Sequence, residues 1–315
     1  MPNLFAHQLV AKRFFLREEP AHTDSFLAGN QDFLMLGALG PDPLFFYGIL
    51  PQRGLHLGLA GKKFGNRIHK DDGKKYFRLL CERCYVFNDL RNQSRFETFV
   101  LGQFAHYLLD REAHPYILYE SGFDEEGRIK GKYHYAHSHF ESEIDAALAS
   151  RNRTNYFRAH PGESVCTTPE FLAVLDDNFV PVLAQYFGLK RLPAHLYSDA
   201  VKNYRDLLTS SNRHPDFQRK VLGKSRLAGM VLPKEPDLSV LNESRRPWKD
   251  PVTGEVRRES FLDLHMRAYD LLDACYLELL ESGFSYPVFS KYINGLNFYG
   301  TPVGAHWSYC RKEEE

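Results

Sequence analysis

The stretch Phe99–Tyr116, FVLGQFAHYLLDREAHPY, constrains the fold more than any other part of the chain. His106, Asp110 and His114 follow one another at four-residue steps. On an α-helix each such step turns a side chain by only about 40°, so all three share one face. Leu101, Phe104, Ala105, Leu108 and Leu109 cover most of the remaining circumference. A helix that is apolar nearly all round is a buried one. Buried ionisable side chains need partners or a metal to offset their desolvation. Two arrangements meet that need: core histidines with a paired aspartate, or a set of metal ligands.

The other helical signals indicate what packs around this stretch. Residues 4–16 read as a helix with His7, Val10, Ala11 and Phe14 on one face, and residues 25–36 as a second helix ending near Gly37. Gly40-Pro41-Asp42-Pro43 places an aspartate between two prolines, which predicts a rigid turn. Residues 48–63 are glycine-rich and read as a loop, and a helical pattern returns over 64–88 with His69 near its start. The central helix is expected over 95–114, with Pro115 as its stop. Residues 120–133 read as a loop and 136–150 as a helix. There His137 and Glu141 share a face with Phe140, Ile144 and Leu148, whereas His139 and Glu143 lie with Ala146 and Ser150 on the expected solvent side.

Further helices are expected over 168–187, 195–210, 214–223 and 257–282, with loop over 228–252 and no clear period after Gly283. There is no repeat and no alternation long enough for a sheet, so the fold class is all-α, with loop-rich C-terminal additions. The expected organisation is a metal-binding helical domain over 1–150 and a helical region over 151–315 packed on it as one globular unit.

Composition narrows the function. The formal net charge is +0, which argues against a general polyanion binder. No apolar run reaches the length of a membrane span, and the first residues lack the apolar core of a signal peptide, so a cytoplasmic protein is expected. Cys81, Cys84, Cys166, Cys275 and Cys310 form an odd, sparse set and read as reduced thiols. Cys81 and Cys84 fit one side of a helix, and no second CxxC follows, so they are expected to pack rather than bind zinc.

The first half therefore offers His7, Asp42, His69, His106, Asp110, His114, His137 and Glu141 on apolar helix faces or a stiff turn. Imidazole and carboxylate are the zinc ligand types when thiolate is absent. His160, His195, His214, His265 and His306 show no ligand spacing. Trp248 is expected either to pack over the first half or to lie in a pocket wall. Arg245 and Arg246 beside it read as a solvated pair or as phosphate contacts.

These motifs resemble the zinc-dependent phospholipase C proteins and the related P1/S1-type nucleases. The matching elements are His7 on the first helix, Gly40-Pro41-Asp42, His69, the HxxxDxxxH of His106, Asp110 and His114 followed by Pro-Tyr, and the HxxFExxID of His137, Phe140, Glu141, Ile144 and Asp145. NESRRPWKDPVTGE followed by SFLDL resembles the C-terminal segment of bacterial intracellular members. The resemblance implies a helical fold around clustered zinc. One ion would be held by Asp42, His69, His106 and Asp110, and a second by His114, His137 and Glu141. A third would take His7, a bridging Asp110 and the N-terminal amine and carbonyl. In secreted relatives that terminus is a processed Trp, whereas this sequence opens Met1-Pro2-Asn3. The alternatives are a third site using Pro2 after Met removal, or a dinuclear centre.

Clustered zinc lowers the pKa of bound water and neutralises phosphoryl oxygens. The expected activity is phosphodiester hydrolysis of the phospholipase C type by a zinc-bound hydroxide, with Asp42 orienting or deprotonating the water. The expected partner is a small phosphoester or a phospholipid headgroup. A P1-type single-strand nuclease or nucleotidase is the first alternative, and the neutral charge gives it no global support. A non-catalytic, zinc-stabilised binding protein is the second.

Overall fold

The computed structural model describes residues 4–18, 25–49, 59–223, 225 and 227–311. Its helices are α1 (Leu4–Glu18), α2 (Gln31–Gly37), α3 (Leu59–Lys70), α4 (Lys74–Cys84), α5 (Leu90–Ser121) and α6 (Lys132–Arg151) in the first half. The second half contributes α7 (Asn155–Ala159), α8 (Pro169–Phe187), α9 (Leu196–Arg213), α10 (Pro215–Leu222), α11 (Phe261–Ser282) and α12 (Tyr286–Ile293). Strands β1 (Trp248–Lys249) and β2 (Val256–Arg257) pair antiparallel, Trp248 opposite Arg257. The protein is mainly helical.

Helix α5 is the axis on which α1, α2, α4, α6, α8 and α11 pack. It starts where Asp89 accepts the Arg91 N–H at 3.0 Å, a side-chain cap on an otherwise unsatisfied donor. It runs through Pro115 rather than stopping there. Pro115 supplies no N–H to the Arg111 carbonyl, but the turns on both sides are buried, and tertiary packing carries the helix across the lost bond. Helix α2 crosses α5 at glycines: a Cβ on Gly37 would lie 2.2 Å from the Phe99 carbonyl oxygen, and one on Gly102 would lie 2.4 Å from that of Leu34. This approach sets the Gly40–Asp42 turn directly against His106.

Other local expectations change in the fold. Over 25–36 only Gln31–Gly37 is α-helical, preceded by turns from Ser25. Helix α3 begins at Leu59, inside the stretch read as loop, and residues 50–58 of that stretch lie outside the described residues. Asp42 begins a 3-10 turn, Asp42–Phe46, whose side chains are all buried. Ala146 is buried rather than solvent-facing. Helix α12 and the bridge between Leu296 and Pro302 give order to a segment without sequence period.

One cluster of buried side chains extends from Leu4 to Phe298. Cys81 and Cys84 are buried in it as free thiols whose pKa burial pushes well up, so they pack. Trp248 packs on Tyr116 of α5, donates from Nε1 to the Glu259 carbonyl at 3.1 Å and receives the Arg257 guanidinium on its face. It braces α5 from behind and is not among the residues lining the cleft described below. No helix among the described residues is long and apolar enough to cross a membrane.

Candidate metal centre

His7, Asp42, His69, His106, Asp110, His114, His137 and Glu141 are all buried. They come from α1, the Asp42 turn, α3, α5 and α6; the fold brings seven of them to the floor of one cleft, and His106 joins them through Asp110. Asp110 stands at the middle. Its Oδ1 lies 3.3 Å from His7 Nε2 and 3.4 Å from His114 Nδ1. Its Oδ2 lies 3.2 Å from His106 Nε2 and 3.5 Å from His69 Nε2. His69 Nε2 is also 3.2 Å from Asp42 Oδ1. On the far side Glu141 Oε1 is 3.5 Å from His114 Nε2 and 3.4 Å from His137 Nε2. His7 and His106 stack with ring centroids 3.8 Å apart.

Second partners fix which ring nitrogen faces inward. His69 Nδ1 donates to the Gly65 carbonyl at 2.8 Å, His106 Nδ1 to Ala38 at 3.1 Å and His114 Nδ1 to Asp110 at 3.1 Å. A carbonyl oxygen can only accept, so in the neutral ring each of these imidazoles turns a lone pair on Nε2 toward the carboxylates of the cluster. Ser121 Oγ gives its hydrogen to the Ile117 carbonyl at 2.7 Å and therefore accepts from His137 Nδ1 at 3.3 Å. This orientation of one nitrogen by a bond on the other is typical of metal-ligating histidine.

Among the described residues three triads offer ligand atoms close enough together to hold an ion: His7, His106 and Asp110; Asp42, His69 and His106; and His114, His137 and Glu141. Donors about 2.0–2.1 Å from a tetrahedral zinc stand roughly 3.3–3.4 Å apart, which is the spacing of these pairs. His7 Nδ1, Asp42 Oδ1 and His106 Nε2 are buried without a hydrogen-bond partner among the described residues, although charged neighbours lie near two of them. Orphaned donors and acceptors of this kind fit a metal. Met1, Pro2 and Asn3, considered for the third ion, lie outside the described residues.

The electrostatics follow from burial and proximity. Burial, reinforced by His106, drops the His7 pKa to about 4. For His69 burial works in the same direction, but Asp110 and Asp42 outweigh it and lift the pKa to about 10. Burial opposes ionisation of Asp110, yet His114, His106 and His69 hold its pKa well below the usual carboxylate range. Glu141 is likewise held low against burial, with His137 and His114 among the groups responsible.

The cleft above this floor has a volume of about 630 Å³. Its walls include Phe45, Asn66 and Lys70, the 122–131 loop, and Asn297, Tyr299, Thr301 and Trp307 from the C-terminal segment. None of these is legible as a site residue in the sequence. The nearest signal is Asn297, whose Oδ1 accepts from the backbone of Tyr299 at 2.9 Å and Thr301 at 3.1 Å to form a tight turn. That turn sets the Tyr299 ring 5.2 Å from His114 and 6.3 Å from His69. In the second half His265 is buried on the Ala6 carbonyl, and His195 is exposed beside Asp176.

Together the helical fold and the convergent imidazoles and carboxylates form clusters that could hold metal ions. The signature of zinc-dependent phospholipase C matches residues 1–191, and the chain belongs to that family. Neither a curated protein nor a solved structure matches the chain.

Proposed function

We propose that this protein is a zinc-dependent phosphoester hydrolase, a phosphodiesterase of the phospholipase C type. Its metal ligands in this reading are His7, Asp42, His69, His106, Asp110, His114, His137 and Glu141. The observation that carries the reading is the single Asp110 carboxylate within 3.5 Å of imidazole nitrogens from His7, His69, His106 and His114. A structural zinc site is usually closed and often uses Cys, whereas these ligands are His, Asp and Glu beneath an open cleft.

Bound zinc would supply an acidified water and positive charge for the phosphoryl oxygens. The chain's own part begins with Asp42. Its neighbours, His69 above all, hold its pKa low against the pull of burial, so it is ionised at neutral pH. The Pro41 and Pro43 rings stiffen its backbone, and its Oδ1 faces His69 Nε2 at 3.2 Å. In this reading the Asp42 carboxylate orients an attacking water and accepts its proton.

Family membership favours a phospholipid headgroup or another phosphodiester as substrate. The test is zinc content of protein purified without chelator, together with turnover of bis(4-nitrophenyl) phosphate beside 4-nitrophenyl phosphate. Two or three zinc ions and preferential diester turnover are expected. Bound zinc with no turnover of either ester would instead favour a zinc-stabilised binding protein.

A further inference from the structure

The rim of the cleft carries charge that the metal centre does not use. Lys70 closes α3, Arg128 and Lys130 come from the 122–131 loop, and all three line the cleft. Apart from the candidate metal ligands, the carboxylate lining it among the described residues is Asp71, which accepts the Tyr186 hydroxyl.

The three cations are not equivalent. The Arg128 guanidinium is engaged with Asp124 at 3.0 Å and with Glu126. Its backbone N–H also bonds Asp124 Oδ1 at 2.7 Å, so this residue staples the loop. The loop is seated by Gly127, where a Cβ would fall 2.9 Å from the Trp307 backbone nitrogen. Lys70 and Lys130 are both exposed, and neither has an ion-pair partner among the described residues. They are the rim charges left for a ligand.

The aromatic lining does not offset this bias. A cage for a quaternary ammonium group needs ring faces open to the cation. Here Tyr299 is set edge-on to Trp307 at 5.2 Å and 67°, and packs on His114 as well. Trp307 also packs on Phe123 at 5.7 Å.

We infer that the cleft selects phosphoesters whose alcohol portion carries a further negative charge, a second phosphate or a carboxylate, and that Lys70 and Lys130 are the specificity-determining residues. This rests on the hydrolase reading above for the placement of the scissile phosphate at the cleft floor. A pair of rim cations raises the local concentration of an anionic group and disfavours a cationic one, most strongly at low salt.

The test uses calorimetric binding of two product-like probes to zinc-loaded full-length protein at low ionic strength. Phosphoglycolate presents a carboxylate beyond its phosphate, and phosphocholine a quaternary ammonium. Phosphoglycolate should bind about tenfold more tightly or better. In the K70E/K130E double variant, altered only at exposed side chains, that order should reverse. Turnover is followed in parallel with glycerophosphoinositol 4-phosphate in solution and with phosphatidylinositol 4-phosphate in phosphatidylcholine vesicles. Cleavage of either ahead of its choline counterpart supports the assignment, and which one is cleaved tells a soluble ester from a lipid. Equal or tighter binding of phosphocholine, or a ratio unmoved in the double variant, while bis(4-nitrophenyl) phosphate is hydrolysed, would overturn charge selection and leave the hydrolase reading standing. Turnover of no ester would overturn both.

Discussion

Asp145 of α6 accepts the backbone N–H of Ala6 on Oδ1 at 2.9 Å, and its Oδ2 takes the N–H of Phe5 at 3.0 Å. The first N–H groups of a helix have no intrahelical partner, so a carboxylate from a neighbouring helix caps α1 one residue before His7. Asp145 is also one turn beyond Glu141, so one helix supplies both a candidate ligand and the anchor for another. Asp145→Asn would keep one acceptor and turn an amide N–H₂ against a backbone N–H. Urea unfolding should show a loss of about 1–3 kcal/mol. An unchanged midpoint would mean that the cap contributes nothing.

Asp110 offers the sharpest test of the metal assignment. Asp110→Asn removes the charge that faces four imidazoles while nearly preserving shape. Zinc content should fall, and diester turnover should drop by more than about 100-fold, in the same preparation. Elemental analysis and a chromogenic assay check this together. Full zinc content with full turnover would sink the assignment of Asp110 as a ligand.

The helical period explains why so much of the cleft floor can be read from sequence. His106, Asp110 and His114 repeat at the spacing of one helix face, and His137 and Glu141 separate from His139 and Glu143 by phase alone. In the structure the inward pair is buried, whereas the His139–Glu143 pair, 3.6 Å apart, is partly exposed. Pro115 misleads because a local rule about a missing N–H is overridden by packing on all sides of α5. Ala146 misleads because what covers that side of α6 comes from residues 228–230, distant in sequence. Lys70, Lys130 and Tyr299 are illegible for a different reason. Loop residues converge through turns such as that of Asn297, which impose no period on the sequence.

Gly40 gives a prediction about how the floor is assembled. Its φ is +58°, in the left-handed region, and a Cβ there would lie 2.3 Å from the His106 ring. Its carbonyl accepts from Gln103 Nε2 at 3.1 Å, and Gln103 Oε1 accepts the Tyr76 hydroxyl at 2.8 Å. Gly40→Ala adds backbone strain and overpacking, at a combined cost of about 2–4 kcal/mol. Because the displaced group is His106, the folded fraction should also bind less zinc. A variant of wild-type stability and zinc content would show that the ring yields freely.

His265 makes the stability of the protein depend on pH. It is buried on α11 with Nε2 3.3 Å from the Ala6 carbonyl, and burial, with Arg13 nearby, lowers its pKa to about 3. The unfolded chain takes up this proton near the ordinary histidine pKa of about 6.5. Between the two values the unfolded state binds more protons, so the contribution is full above about pH 6.5 and is lost as pH falls toward 3. At pH 5 the loss from this one group is about 2 kcal/mol. Other groups titrate in the same range, so the readout is the difference between the wild type and His265→Gln, which can still donate to the Ala6 carbonyl. Urea unfolding of both proteins in chelator, at pH 7.5 and pH 5, should show the wild type losing about 2 kcal/mol more than the variant. Parallel losses would mean that His265 is protonated in the folded protein.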